Sequence, residues 1–142
     1  PALNVVQTGP AEMSFYVNRD YGQPTAHLGR YTLRLDGFAS LHAGYRGGTM
    51  LTHPITFAGT HLELNYATSA AGGVRVEILD EEGRTLPGFG LAEARELIGD
   101  EISRAVQWVH GPDVGRLQGR PVRLRFHLKD ADVYSFRFGG AA

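Results

Sequence analysis

The sequence predicts an all-β fold, a two-sheet antiparallel β-sandwich of jelly-roll-like type with one short helix. Three observations support this prediction. Nineteen glycines and seven prolines divide the 142 residues into short segments. Most of these segments alternate apolar and polar residues with period two, which is typical of strands buried on one side. Only "LAEAREL" has helical spacing, and Gly99 ends it, so we expect a short helix on a loop.

The clearest strand patterns are "HLELNYAT", "GVRVEIL", "PVRLRFHL" and "DVYSFRF". Their alternation predicts a core made of Leu62, Leu64, Val74, Val76, Ile78, Leu124, Phe126, Tyr134 and Phe136. Trp108 has the same parity as its apolar neighbours and is also expected in the core. "DEEGR" predicts a hairpin between residues 74–79 and 84–86. With weaker patterns in "EMSFYVNR", "YTLRLD", "FASLHA" and "HPITF", we expect nine or ten strands.

The length gives room for one domain with a real core. We expect residues 1–19 to form an N-terminal arm or first edge strand, and residues 20–142 to form the sandwich. Because the chain begins at Pro1 rather than Met, we also expect it to be a piece of something longer.

Charge and composition exclude several classes of function. Lysine and arginine total 14 against 15 aspartates and glutamates, so no long-range field would attract nucleic acid. No apolar run approaches the roughly 20 residues that span a bilayer, and we expect no membrane partner. The absence of cysteine excludes disulfides, thiolate metal sites and a cysteine nucleophile, and it leaves the compartment undetermined.

The residues do not predict catalysis, so we expect the chain not to be an enzyme. A glycosidase needs two carboxylates in a cleft, and the best pair here is Asp100 and Glu101. The histidines lack the spacing that directs a pair at one metal ion, and no cofactor is expected. Calcium at Asp130 and Asp132, two residues apart in "KDAD", is the alternative to a solvated turn.

Loop aromatics predict a sugar site. Sugars bind through aromatic faces and through planar polar side chains that meet their hydroxyls. Tyr21, Tyr45 and Phe89 lie among glycines, with Gln23 and Arg46 beside the two tyrosines. We predict these five as ligand-binding residues. The alternative is that such aromatics fold under their loops as plugs.

A row of outward-facing arginines has two interpretations. If their strands are neighbours, they form a basic stripe; the equal alternative is a solvated face with Glu63 and Glu77 as partners. The row consists of Arg75, Arg123, Arg125 and Arg137.

The segments "YGQPTAHLGRYTLRLDGFASLHAGYRGG", "LTHPITFAGTHLELNYATSAAGGVRVEILDEEG", "IGDE" and "LKDADVYSFRF" resemble the C-terminal region of large bacterial glycosidase-like proteins. In those proteins a five-bladed propeller, similar to glycoside hydrolase family 32 and its relatives, precedes a β-sandwich. The similarity covers nearly the whole chain from Met13 onward. It implies an accessory module in which Tyr21, Gln23, His27 and Arg30 lie where the two domains meet. The catalytic carboxylates of such hydrolases lie in the propeller, so no catalytic residue is carried over.

Two functions follow as expectations. The first is a non-catalytic carbohydrate-binding or accessory β-sandwich module of a glycoside hydrolase, whose partners are a glycan ligand or an upstream catalytic domain of the same polypeptide. The second is a structural sandwich that docks on a propeller or forms a homo-oligomer without glycan binding. This second function predicts a flat, partly apolar patch around residues 12–31.

Overall fold

The computed structural model describes residues 4 to 140, which form antiparallel strands, turns and a 3-10 helix at Gly115–Leu117. The chain divides into two compact units, Pro1–Ala39 and Ser40–Ala142. The predicted fold class, an all-β antiparallel β-sandwich with two sheets, is confirmed. The predicted boundary between the N-terminal arm, residues 1–19, and the sandwich, residues 20–142, stays a prediction. Residues 1–3 of the predicted arm and residues 141–142 lie outside the described residues.

The first unit contains a three-stranded sheet. Its strands, in sheet order, are β1 (Val6–Gln7), β2 (Glu12–Arg19) and β3 (His27–Arg34). The turn between β2 and β3 needs left-handed backbone, with φ of 54° at Asp20 and 78° at Gly22. Glycine adopts such angles without strain, and aspartate tolerates them better than most residues. "DYGQPTA" therefore forms the tip of a β-hairpin.

The second unit contains a five-stranded sheet and most of the buried side chains. Its strands are β4 (Leu41–Ala43), β5 (Gly48–Leu51), β6 (His61–Leu79), β7 (Asp100–Ala105) and β8 (Arg123–Gly139). The order is β4-β8-β6-β7, and β5 also pairs with β8. Because β6 and β8 pair along most of their length, they form the spine of this sheet.

Alternation along β6 and the first half of β8 places the expected residues in the core. Seven of the predicted core residues are fully buried, as is the predicted Trp108 at 1% exposure: Leu62, Leu64, Val74, Val76, Ile78, Leu124 and Phe126. They belong to one hydrophobic cluster that draws on both ends of β6. The period-two pattern therefore identified the inward face correctly on these strands.

The same alternation is wrong near the end of β8, where two bulges change the parity. The register against β6 shifts at Asp130, which lies opposite residues 69–72 of β6, and again at Tyr134. Each extra residue of β8 moves the side chains that follow it to the other face. Between the bulges, Ala131 and Val133 take the core positions. Tyr134 is therefore only half-buried. The second shift restores the predicted parity, so Phe136 lies opposite the core residue Leu64, but near the end of the strand it is 36% exposed.

The helix predicted at "LAEAREL" is also wrong, because this segment is a turn followed by extended backbone. Leu97 forms a β-bridge with Val74, with hydrogen bonds of 2.9 and 3.0 Å in the two directions, and Ala94 bridges Trp108. Two helical turns have little intrinsic stability in water, so pairing with strand β6 prevails.

Residues 4–140 contain eight strands rather than nine or ten. "HPITF" and residues 84–86 make only isolated bridges, Ile55 with Val122 and Thr85 with Leu79. The bridge at Thr85 still closes the predicted "DEEGR" turn. Within the described part of the chain, no helix combines the length and apolar character needed to cross a membrane.

Candidate functional site

Tyr45 stands at the tip of the turn between β4 and β5. A 2.9 Å hydrogen bond from Gly47 N to Gly44 O closes this turn, so Tyr45 and Arg46 occupy its two central positions. Tyr45 is 68% exposed and Arg46 is exposed as well. The turn thus presents an aromatic ring and a guanidinium group side by side to solvent.

The Tyr45 ring is held by the neighbouring strand. The Nζ atom of Lys129 lies 4.4 Å from the ring centroid, which is a cation–π contact. Asp130 N donates a 3.0 Å hydrogen bond to Gly44 O, joining the first bulge of β8 to the turn. The ammonium group of Lys129 therefore covers one face of the Tyr45 ring. Because Tyr45 is highly exposed, the other face of the ring is open to solvent.

The predicted calcium ligands lie on the same part of β8. Asp132 Oδ1 accepts hydrogen bonds from Ser40 Oγ at 2.6 Å and from His42 Nδ1 at 3.1 Å. Among residues 4–140, no group of three or more His, Cys, Asp or Glu side chains is placed to hold a metal ion. Calcium at Asp130 and Asp132 stays a prediction.

Phe89, a third predicted ligand-binding residue, is fully buried. Its ring makes edge-to-face contacts with Trp108 and His110, at centroid distances of 5.0 and 4.9 Å. The guanidinium carbon of Arg116 lies 4.8 Å from the same ring. Phe89 therefore supports the side chains around it and presents no open face to solvent.

An open cleft of about 450 Å³ lies beside the loop that carries Phe89. Its lining residues are Pro87, Gly88, His110, Asp113 and Arg116. His110 Nε2 donates to Gly88 O and Arg116 Nη2 donates to Pro87 O, each at 2.9 Å. Asp113 Oδ1 accepts from Gly115 N at 2.7 Å. Three charged or polar side chains are thus fixed around one hollow.

Sequence reasoning missed this cleft, although a signal was present. "HGPDVGR", residues 110–116, places histidine, aspartate and arginine within seven residues of a glycine- and proline-containing loop. The loop meets "PGFG" only through the tertiary structure.

A buried carboxylate, Glu77, lies on the face of β6 opposite to the one that carries Val76 and Ile78. It is 7% exposed and accepts hydrogen bonds from His127 Nε2 at 2.6 Å, Arg125 Nη1 at 3.4 Å and Leu91 N at 3.2 Å. Burial acts to raise the pKa of Glu77, but the hydrogen bond from His127 and the charges of His127 and Arg125 outweigh it, and the pKa falls below its ordinary 4.5. The carboxylate therefore ties the loop at Leu91 to the sheet in its ionised form.

The arginine row is a solvated, paired face rather than a basic stripe. Each member has a carboxylate or carbonyl partner: Arg75 with Glu96, Arg123 with Glu81 O, Arg125 with Glu77 and Arg137 with Glu63. Hydrogen bonds from Ser103 and Arg137 lower the pKa of Glu63. Carboxylates therefore neutralise three of the four arginines, and Arg123 is held by carbonyl groups.

The remaining predicted residues occupy exposed positions. In the first unit, Tyr21 is 87% exposed at the hairpin tip, close in sequence to the exposed Gln23. In the second unit, Asp100 and Glu101 begin β7, and Glu101 accepts a 3.3 Å hydrogen bond from Arg104. Surface ion pairs of this kind are common and do not mark a catalytic acid.

No protein-family model, no curated protein and no solved structure matches the chain. Membership of the glycosidase-like family stays a prediction.

Proposed function

We propose that the chain is a non-catalytic carbohydrate-binding module, an accessory β-sandwich of a glycoside hydrolase, and that the Tyr45 turn is its binding surface. One observation carries the proposal. Tyr45 is 68% exposed while Lys129 Nζ holds its ring from one side at 4.4 Å. A sugar ring stacks its C–H surface on the open face of Tyr45, and Arg46 donates to the hydroxyls at its edge.

The turn is suited to weak binding. A tyrosine ring held by Lys129 loses little side-chain entropy when a ligand arrives. Stacking and a few hydrogen bonds, each worth about 1 kcal/mol net, give dissociation constants of order 0.1 to 1 mM. Sites of this strength usually act through repeated contacts with a polymer.

Calorimetric titration with neutral oligosaccharides, including those from fructans and arabinans, tests this proposal. We expect saturable binding that Tyr45→Ala abolishes and Tyr45→Phe retains, because the ring face supplies the contact. Phe38→Ala is the matched control, since Phe38 is exposed to a similar extent, at 64%, and lies in the first unit. Binding that survives Tyr45→Ala would overturn this site.

The absence of catalysis is tested separately. We expect the purified chain to release no reducing sugar from fructans, arabinans or similar glycans. Hydrolysis that disappears when Asp100 is changed to Asn or Glu101 to Gln would show that the chain is an enzyme.

The structural, docking function is favoured by one observation in the first unit. Several apolar side chains of this small sheet and its connections are exposed: Val6 at 51%, Leu28 at 62% and Phe38 at 64%. Docking would cover these groups if they form one contiguous apolar patch, which is the kind of surface that marks an interaction site. Light scattering across a concentration series, alone and with an upstream propeller domain, tests this function. A complex that Leu28→Lys disrupts, without glycan binding, would favour docking over the carbohydrate proposal.

A further inference from the structure

The cleft beside the Phe89 loop has a chemistry different from that of the Tyr45 turn. We propose that it binds a sugar that carries a carboxylate, a uronic acid residue, with Arg116 holding the carboxylate. This inference rests on the proposed function in one respect, which is that the ligand is a glycan. The cleft's volume of about 450 Å³ lies within the ~300 to 1,000 Å³ typical of small-molecule sites.

Arg116 is fixed before any ligand arrives. Its guanidinium plane rests on the buried Phe89 ring, with the central carbon 4.8 Å from the ring centroid. Its Nη2 atom donates to Pro87 O at 2.9 Å. A guanidinium group has five N–H donors, so this bond leaves others for the paired hydrogen bonds that a carboxylate accepts.

Gly88 keeps the space beside Arg116 open. A Cβ atom at this position would lie 3.3 Å from His110 Nε2 and 3.4 Å from Arg116 Nη2. The two side chains therefore border the same small space, and the φ of 88° at Gly88 excludes an unstrained larger residue. A ligand that enters there meets both a guanidinium group and an imidazole.

The local charge favours an acidic ligand, while Asp113 favours a hydroxylated one. Arg120 lines an adjoining hollow of about 190 Å³ that shares Pro87 and Arg116 with the cleft, so the cleft and this hollow together have two arginines and one aspartate in their linings. Gly115 N fixes one oxygen of Asp113, and the second oxygen can accept from a sugar hydroxyl. A uronic acid satisfies both groups, whereas a simple anion satisfies only the arginine.

Titration with glucuronic acid, glucose and acetate tests the inference. We expect glucuronic acid to bind about tenfold more tightly than either of the others, because charge-assisted hydrogen bonds are roughly twice as strong as neutral ones. Arg116→Gln should remove the preference over glucose. The matched control Arg95→Gln, at an exposed arginine outside the cleft lining, should leave it intact. Equal affinity for glucose, or for acetate, would overturn the proposal.

A second variant guards against a merely structural effect of Arg116, which also tethers Pro87. Asp113→Asn should strengthen acetate binding, by removing a like charge, and reduce the ratio of glucuronic acid to acetate affinity. Loss of both affinities together would instead indicate a collapsed loop and overturn the role given to Asp113. Repeating the titrations on Tyr45→Ala, which lacks the stacking ring of the turn, leaves the cleft as the site that is measured. If glucuronic acid fails to bind while Tyr45-dependent oligosaccharide binding persists, only this inference falls.

Discussion

Two aromatic residues between glycines, Tyr45 in "AGYRGG" and Phe89 in "PGFG", are alike in sequence and opposite in structure. Tyr45 is 68% exposed, whereas Phe89 is fully buried against Trp108 and His110. The backbone explains the difference. The carbonyl of Phe89 accepts a 3.1 Å hydrogen bond from Ile78 N, so its loop pairs with the sheet, while Tyr45 sits at the centre of a tight turn. The comparison indicates that an aromatic residue among glycines is buried under its loop when its own backbone is hydrogen-bonded to the sheet.

The largest expected effect distinguishes these two residues by stability. Phe89→Ala should lower the free energy of unfolding by about 3 to 5 kcal/mol, because it leaves a cavity under Trp108, His110 and Arg116. Urea denaturation monitored by tryptophan fluorescence measures it, with the exposed Phe38→Ala as control. A loss below about 1 kcal/mol would contradict the plug assignment.

The sequence predicts the core-facing residues correctly where the strands are regular. Alternation found the inward face of β6 because every residue of 61–68 and of 73–79 has a partner on β8, and the shift at Tyr134 inserts its extra residue in β8 and not in β6. It could not find the bulges at Asp130 and Tyr134, since a bulge is defined by the partner strand as well as by its own residues. The misplaced helix has the same origin, because the bridge between Leu97 and Val74 joins distant segments.

The sites were less predictable than the fold, because they depend on contacts between distant segments. Local composition marked the Tyr45 turn, where glycines at 44 and 47 bracket the two side chains. It could not show that Phe89 is covered, nor that His110, Asp113 and Arg116 meet Gly88 across a cleft. The Glu77–His127 pair was missed for a similar reason, since its partners are diagonal neighbours on strands whose register was unknown.

The next effect concerns Glu77, which binds Leu91 N two residues after Phe89 and so holds the same loop to the sheet. Glu77→Gln should cost about 1 to 3 kcal/mol at neutral pH, because His127, Arg125 and Leu91 N lose a buried charged acceptor. Because the folded pKa lies below the ordinary 4.5, the stabilisation is complete above that value and disappears as the pH falls through the folded pKa.

Urea titrations from pH 7 to pH 3 measure this dependence. The difference in stability between the wild type and Glu77→Gln should shrink as the pH falls towards and below about 4.5, where the unfolded carboxyl is half protonated. Glu63→Gln is a useful comparison, because the pKa of Glu63 is also lowered but by hydrogen bonds from Ser103 and Arg137. A difference for Glu77→Gln that is independent of pH would show that the carboxylate acts through its shape and not its charge.

A smaller effect tests the geometry of the Tyr45 turn. Gly47 has a φ of 78°, and an added Cβ would lie 3.1 Å from Leu128 O, so Gly47→Ala should cost roughly 1 to 2 kcal/mol. Gly44 is the matched control, since an added Cβ there meets nothing within 4 Å. Gly44→Ala should stay within about 0.5 kcal/mol of the wild type. Equal costs at the two glycines would mean that the turn differs from the one described.

The smallest expected effect is at Tyr45 itself. Tyr45→Ala should change the free energy of unfolding by less than about 1 kcal/mol, because the exposed ring loses only its cation–π contact with Lys129. A double-mutant cycle with Lys129→Met isolates that contact, and the coupling should not exceed the same value. Tyr45→Phe keeps the ring and should be closer still to the wild type. A cost above about 2 kcal/mol for Tyr45→Ala would make Tyr45 a plug like Phe89, and the ring would no longer be available to stack on a sugar.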